Sequence, residues 1–205
     1  MVFNRRILFI VLCLVLSIAL VACGGSGKEK PAATGQPDSS EVKGLEEPFA
    51  EKPVLLTSIG QSADVEMVKA LMDNAGIEHK MDKLAKASDL GDEKTLILAV
   101  GGSSKGLGAA GIDADQELER TMELIGAAKD KGIKIISMHI GGENRRGELS
   151  DRFIGPAFEA ADYMIIVEEG NKDGLFTKIA SENGIPMDVV ASVADALEYL
   201  KGAFK

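Results

Sequence analysis

The chain has no tryptophan, and aromatic residues make up only 4% of it. A sugar-stacking or base-stacking surface has little to build on. Cysteine is nearly absent: Cys13 and Cys23 are the only two, both within the first 23 residues. The remainder lacks a disulfide, a thiolate nucleophile and a cysteine metal site. Histidine is as scarce, at His79 and His139. With no metal-type spacing, neither a transition metal nor any other cofactor is expected. Positive charge is short as well, with 23 Lys and Arg against 32 Asp and Glu, a net charge of −9. A nucleic-acid partner needs a basic face, so that class is excluded. At 205 residues the chain is too short for a two-lobed enzyme of roughly 300 residues. Its 45% apolar content still suffices for one globular core.

What is present begins with a leader. Arg5 and Arg6 precede the uncharged run Ile7 to Ala22. That run is short for a spanning helix, which needs about 20 apolar residues, and suits a signal h-region. It ends Leu20-Val21-Ala22-Cys23, followed by Gly24. This resembles the lipobox of bacterial lipoproteins. The resemblance implies cleavage before Cys23 and attachment of diacylglycerol to its sulfur, with a further acyl chain, such as palmitate, on the new amino terminus. Several acyl chains make a stable anchor in a lipid bilayer. The expected location is the outer face of the bacterial cell membrane or the periplasmic face of an envelope membrane.

Three segments follow from this reading: a signal peptide over 1–22, lipidated Cys23 with a disordered linker over 23–52, and one domain over 53–205. The linker stretch Gly24 to Lys52 is rich in Gly, Ser, Pro and charge and shows no apolar period. The domain alternates strand-like and helix-like runs. Strands are expected at 54–58, 77–82 (weaker), 95–100, 133–140, 163–167 and 186–190. Helices are expected over 62–75, from Asp113 with Gln116 as a capping-box partner, over 149–161 with a break at Gly155-Pro156, over 173–183, and after Ser192. The stripe Leu118, Met122, Ile125 and Ala128 should face the core. So should the methionines, among them Met67 and Met122. Alternation of this kind predicts an α/β three-layer sandwich, with a mostly parallel sheet of five or six strands. The expected strand order is flavodoxin-like or Rossmann-like, with 54–58 and 95–100 central and the chain reversing between them.

Ligands in such sheets bind beyond the carboxyl ends of the strands, near that reversal. Glycines and the body's few cations gather in those loops. The candidate ligand-binding residues are Ser58 and Gln61; Gly102, Ser103, Ser104, Lys105 and Gly106; His139, Arg145 and Arg146; and Glu168, Asn171 and Lys172. The run 101–111 reads as a glycine-rich loop whose N–H groups could cradle a carboxylate or phosphate. It is not a P-loop, and its Gly106-x-Gly108-x-x-Gly111 stands too far from the strand for a dinucleotide fingerprint. Arg145 and Arg146 read either as an anion clamp or as one solvated arginine and one structural pair to Glu143, Glu148 or Asp151. His139 reads either as a ligand or as a packed, backbone-satisfied histidine. Asp173 reads as a helix N-cap.

The segments GSSKGLGAAGID (102–113), MHIGGENRRGELSD (138–151) and EEGNKDGLFTKIASENGIPM (168–187) are similar to a family of exported bacterial lipoprotein domains known only as a domain of unknown function. That resemblance implies a Rossmann-like fold and no particular activity. Three functions stay open. The first is a lipid-anchored module binding a small polar or anionic solute. The second is an envelope protein-interaction module. The third is a surface hydrolase or transferase with His139 and Glu168 or Glu169 as acid and base. No catalytic residue is assigned.

Overall fold

The computed structural model describes residues 42–205. The lipobox, Cys23 and the linker up to residue 41 lie outside these residues. Six strands form one wholly parallel sheet: β1 (Val54–Ile59), β2 (Lys80–Met81), β3 (Thr95–Val100), β4 (Lys134–His139), β5 (Tyr163–Val167) and β6 (Met187–Val190). Six helices accompany it: α1 (Asp64–Ala75), α2 (Ser104–Ala110), α3 (Ala114–Asp130), α4 (Glu148–Phe158), α5 (Leu175–Asn183) and α6 (Ala196–Gly202). The strand order is β2-β1-β3-β4-β5-β6. The chain steps out from β1 to β2, returns to β3 on the other side of β1, and then proceeds one way. This is the expected flavodoxin-like order, with its reversal between β1 and β3. The centre of the sheet is displaced from expectation. It lies at β3 and β4, because three strands continue on that side while only the two-residue β2 lies beyond β1.

Every residue of β1, β3 and β5 is buried, as helices covering both faces require. Alternate side chains enter opposite cores. Leu55, Leu96, Leu98, Met164 and Ile166 pack with α3, α4 and α5. Leu56, Ile97, Ala99, Ile136 and Ile165 pack with α1 and α6.

Several helices depart from the expected pattern, each for a local reason. The supposed loop 101–111 contains α2, because Ser103 caps it by accepting from the Gly106 N–H at 3.0 Å. Helix α3 starts at Asp113 with the expected capping box. Its buried face is Glu117, Arg120, Thr121, Leu124, Ile125 and Ala128, so the stripe is rotated and Met122 is 59% exposed. A buried ion pair, described below, turns that face inward. Met67 is also exposed. Helix α4 runs unbroken through Gly155-Pro156. The proline forfeits one helix bond, while Phe153, Ile154, Ala157 and Phe158 are fully buried. Gly174 holds the N-cap position of α5, while the Asp173 carboxylate beside it accepts from the Leu175 N–H at 3.2 Å, and Ser192 sits in the turn before α6 rather than at its cap.

Residues 42–52, assigned by composition to the linker, are packed as a strap along the amino edge of the sheet. The Met187 N–H donates to the Lys43 carbonyl at 3.0 Å, beside β6. The Phe49 ring stands edge-on to Tyr163, 6.3 Å away. Ala50 is fully buried and bonds the Ala203 carbonyl at 2.8 Å. The Glu51 N–H donates to Thr95 Oγ1 at 3.1 Å, and that hydroxyl donates to the Glu51 carbonyl at 2.7 Å. Backbone pairing and the apolar residues Val42, Leu45, Phe49 and Ala50 hold a segment whose composition reads as disordered.

Candidate functional site

Because β1 and β3 send the chain to opposite faces, a crevice is expected between their carboxyl ends. The two loops there are zipped together. The Gly101 N–H donates to the Ile59 carbonyl at 2.9 Å, and the Ser103 N–H to the Gly60 carbonyl at 2.8 Å. Gln61 forms an antiparallel bridge with Gly102 and has φ of +57°, the one non-glycine residue in the left-handed region among the described residues. The Gly102 N–H donates to Ser150 Oγ at 2.9 Å. A Cβ on Gly106 would run into the Gln61 carbonyl, so glycine at that position lets α2 lie against the turn.

A buried ion pair supports this floor from α3. Glu117, fully buried, accepts from the Gly60 N–H at 2.8 Å and from Gln61 Nε2 at 3.0 Å. Arg120 donates through Nε to Glu117 at 2.8 Å, and through its terminal nitrogens to the Ser58 carbonyl at 2.7 Å and the Ala85 carbonyl at 2.6 Å. Ser58 is wholly buried in β1, and its Oγ has no partner. Ser58 and Gln61 are therefore parts of the scaffold under the site.

Above the floor stands a second pair. Asp64 opens α1 and is 2% exposed, and its Oδ1 accepts from Arg145 Nε at 3.0 Å. Asp64 Oδ2 is buried without a partner. Ser62, also buried, accepts from the Asp64 N–H at 3.2 Å. The Arg145 side chain is about one-third exposed, at 32%. Its Nη1 and Nη2 have no partner among the described residues. Backbone comes close here: a Cβ on Gly101 would lie 2.9 Å from both Asp64 Oδ2 and Ser62 Oγ. Sequence reasoning found Arg145 but missed Asp64 and Ser62. An acid in the first turn of a helix is ordinary, and only the fold brings it to residue 145.

Several of the other expected site residues have structural partners. Arg146 donates to Asp151 at 2.9 Å, to both carboxylate oxygens of Asp173 at 2.9 and 2.8 Å, and to the Gly170 carbonyl at 2.5 Å. Its guanidinium also lies 5.4 Å from the Phe176 ring centre. The Asp173 carboxylate chiefly, with Asp151, raises the Arg146 pKa and keeps it charged, and Arg146 in turn lowers that of Asp173. Arg146 is a latch between loops, its donors committed to protein partners. His139 is fully buried; Nδ1 faces the Val100 carbonyl at 3.1 Å and Nε2 the Gly142 carbonyl at 3.2 Å. Its ring packs on Phe176 at 4.9 Å. Burial lowers its pKa below the usual imidazole value. Neither ring nitrogen is open to a substrate, so the acid/base role weighed for His139 has no geometric basis. Asn171 Oδ1 accepts from the Phe176 N–H at 3.0 Å and caps α5. Lys172 is exposed and pairs with Glu143 at 2.6 Å, which raises its pKa. Ser104, Lys105 and Glu168 are exposed on the same edge.

No group of three or more His, Cys, Asp or Glu among the described residues could hold a metal ion. A cavity of about 820 Å³ lies between the strap and α5, lined by Val42, Leu45, Ala180, Ile185 and Pro186. It is at the amino edge and touches none of the expected site residues.

A family model described as Domain of unknown function (DUF6305) matches residues 51–204, and the chain belongs to that family. A search of the curated proteins found no match. Among solved structures, the chain is similar to a psychrotrophic esterase, EstA, from Pseudoalteromonas sp., at 12% identity, covering 67% of this chain and 76% of that one, with a TM-score of 0.31. It is also similar to a GDSL-like lipase from Bacteroides thetaiotaomicron, at 13% identity, covering 77% and 73%, with a TM-score of 0.32. At such TM-scores the likeness carries no argument about this chain.

Proposed function

We propose that this member of the family is a membrane-tethered binding module, held by an acylated Cys23, that takes a small polar solute with an anionic group at the carboxyl edge of its sheet. One observation carries the reading. Arg145 is anchored through Nε by a buried carboxylate, while its two terminal nitrogens are left without a partner. A guanidinium fixed in this way offers two parallel donors to a carboxylate or phosphate. Lys105 and Ser104, exposed on the same edge, add a cation and a hydroxyl.

Arg145→Lys tests this. It keeps a cation beside Asp64 but removes the paired donors. Bound solute, followed by titration calorimetry on the full-length chain in detergent, should fall at least tenfold in affinity while the far-UV circular dichroism is unchanged. Equal affinity would remove Arg145 from the site. A second reading, an envelope protein-interaction module, is favoured by the zipped loops after β1 and β3, which close the crevice where a deep pocket would lie. Capture of a protein partner that survives Arg145→Lys, with no small solute bound, would select it.

A further inference from the structure

We infer that the solute is a zwitterion, an α-amino acid or a compound ending in one, rather than a bare anion. The inference rests on the binding reading above and refines it. Its basis is the charge of the site. Arg145 does not stand alone: the Asp64 carboxylate lies against it, Oδ1 being 3.0 Å from Nε. Together they are neutral, with the two signs side by side. A phosphate or sulfate meeting the Arg145 donors would also meet the Asp64 charge in a poorly screened setting, and like charges there repel strongly. An α-amino acid carries its own carboxylate and ammonium one carbon apart. Its carboxylate matches Nη1 and Nη2, and its ammonium matches the acid.

The second observation is independent of the first. Asp64 Oδ2 is buried and has no hydrogen-bond partner. An unpaired acceptor of this kind is costly, and a ligand that supplies an N–H removes the cost. On that side the backbone neighbours are glycines. A Cβ on Gly101 or Gly141 would stand 2.9 or 2.5 Å from Oδ2, so only glycine lets the backbone lie against this carboxylate, and the Arg145 stem closes the remaining side. Ser62 Oγ already accepts from the Asp64 N–H, and its hydroxyl proton is free to donate. Arg145 is the only solvent-exposed member of the pair, with Asp64 3% exposed beside it. The ammonium reaches Oδ2 by exchange: the ligand carboxylate draws the Arg145 guanidinium off Asp64 Oδ1 on its flexible stem, and the ligand ammonium takes its place on the acid.

The test is calorimetric titration of the full-length chain in detergent with three probe sets. These are the twenty L-α-amino acids, their deaminated carboxylates, and inorganic phosphate. At least one amino acid should bind ten times or more tightly than its deaminated analogue, and phosphate should give no heat. Asp64→Asn should reverse the preference. Asparagine still accepts from Arg145 Nε but removes the negative charge, so amino-acid affinity should fall at least tenfold and phosphate binding should appear. An unfolded variant would gain no ligand, so the reversal does not depend on stability. If phosphate or the deaminated acid binds the wild-type chain as well as the amino acid, the inference is overturned and the binding reading stands. If no probe binds, both fall.

Discussion

Adjacent arginines at positions 145 and 146 do different jobs, and only their partners separate them. Arg146 is 13% exposed and spends its nitrogens on Asp151, Asp173 and the Gly170 carbonyl. Arg146→Ala should lower stability by about 2 kcal/mol in urea denaturation, reduced from a fully buried pair because Asp173 is half exposed. A change of a few tenths would make it surface decoration. His139 gives a pH signature. Burial holds it neutral in the fold, with its pKa below the ordinary value. As pH falls below about 6.5 the unfolded chain takes up the proton first. Stability is then full above that pH and declines below it, until the folded-state pKa is reached. The urea midpoint should drop between pH 7 and pH 5.5, and His139→Gln should flatten that drop. An equal slope in the variant would assign it to other groups. At this scale Arg145 was legible as a candidate cation. Asp64 was not, because its meaning depends on a residue 81 positions away.

The strands were the most legible elements. TLILAV (95–100) and YMIIV (163–167) are apolar at nearly every position because helices cover both faces of the sheet. Two elements were misread for opposite reasons. Glycines at 106, 108 and 111 suggested a loop, yet Ser103 caps a helix that needs Gly106 to approach the Gln61 carbonyl. Helix α3 looked like an ordinary amphipathic stripe, yet it buries Glu117 and Arg120 to brace the turn after β1. Sequence periodicity scores charged residues as solvent-facing and misses a satisfied pair. Arg120→Leu would leave the Glu117 carboxylate buried with its cation gone, and should cost about 3–5 kcal/mol by denaturant unfolding. A cost below about 1 kcal/mol would mean that Glu117 does not depend on its partner.

Over the whole molecule, the reversal between β1 and β3 is legible in the alternation of strand-like and helix-like runs, and it marks the carboxyl edge as the candidate site. The strap was hidden, because residues 42–52 have the composition of a linker and gain their order from long-range partners: backbone bonds to β6 and Ala203, the Thr95 hydroxyl, and the apolar contacts of Phe49 and Ala50. It enters at the amino edge, while Arg145, Asp64 and the exposed Lys105 lie at the carboxyl edge. The central claim is that a small solute occupies that carboxyl edge through Arg145. Native mass spectrometry of the full-length chain, purified from cells in detergent beside its Arg145→Lys variant, tests it most directly. The account predicts a discrete small added mass on the wild-type chain, lost on denaturation and absent from the variant. An added mass that persists in the variant, or a wild-type chain that carries none and gains none from amino acids or anions, would contradict it.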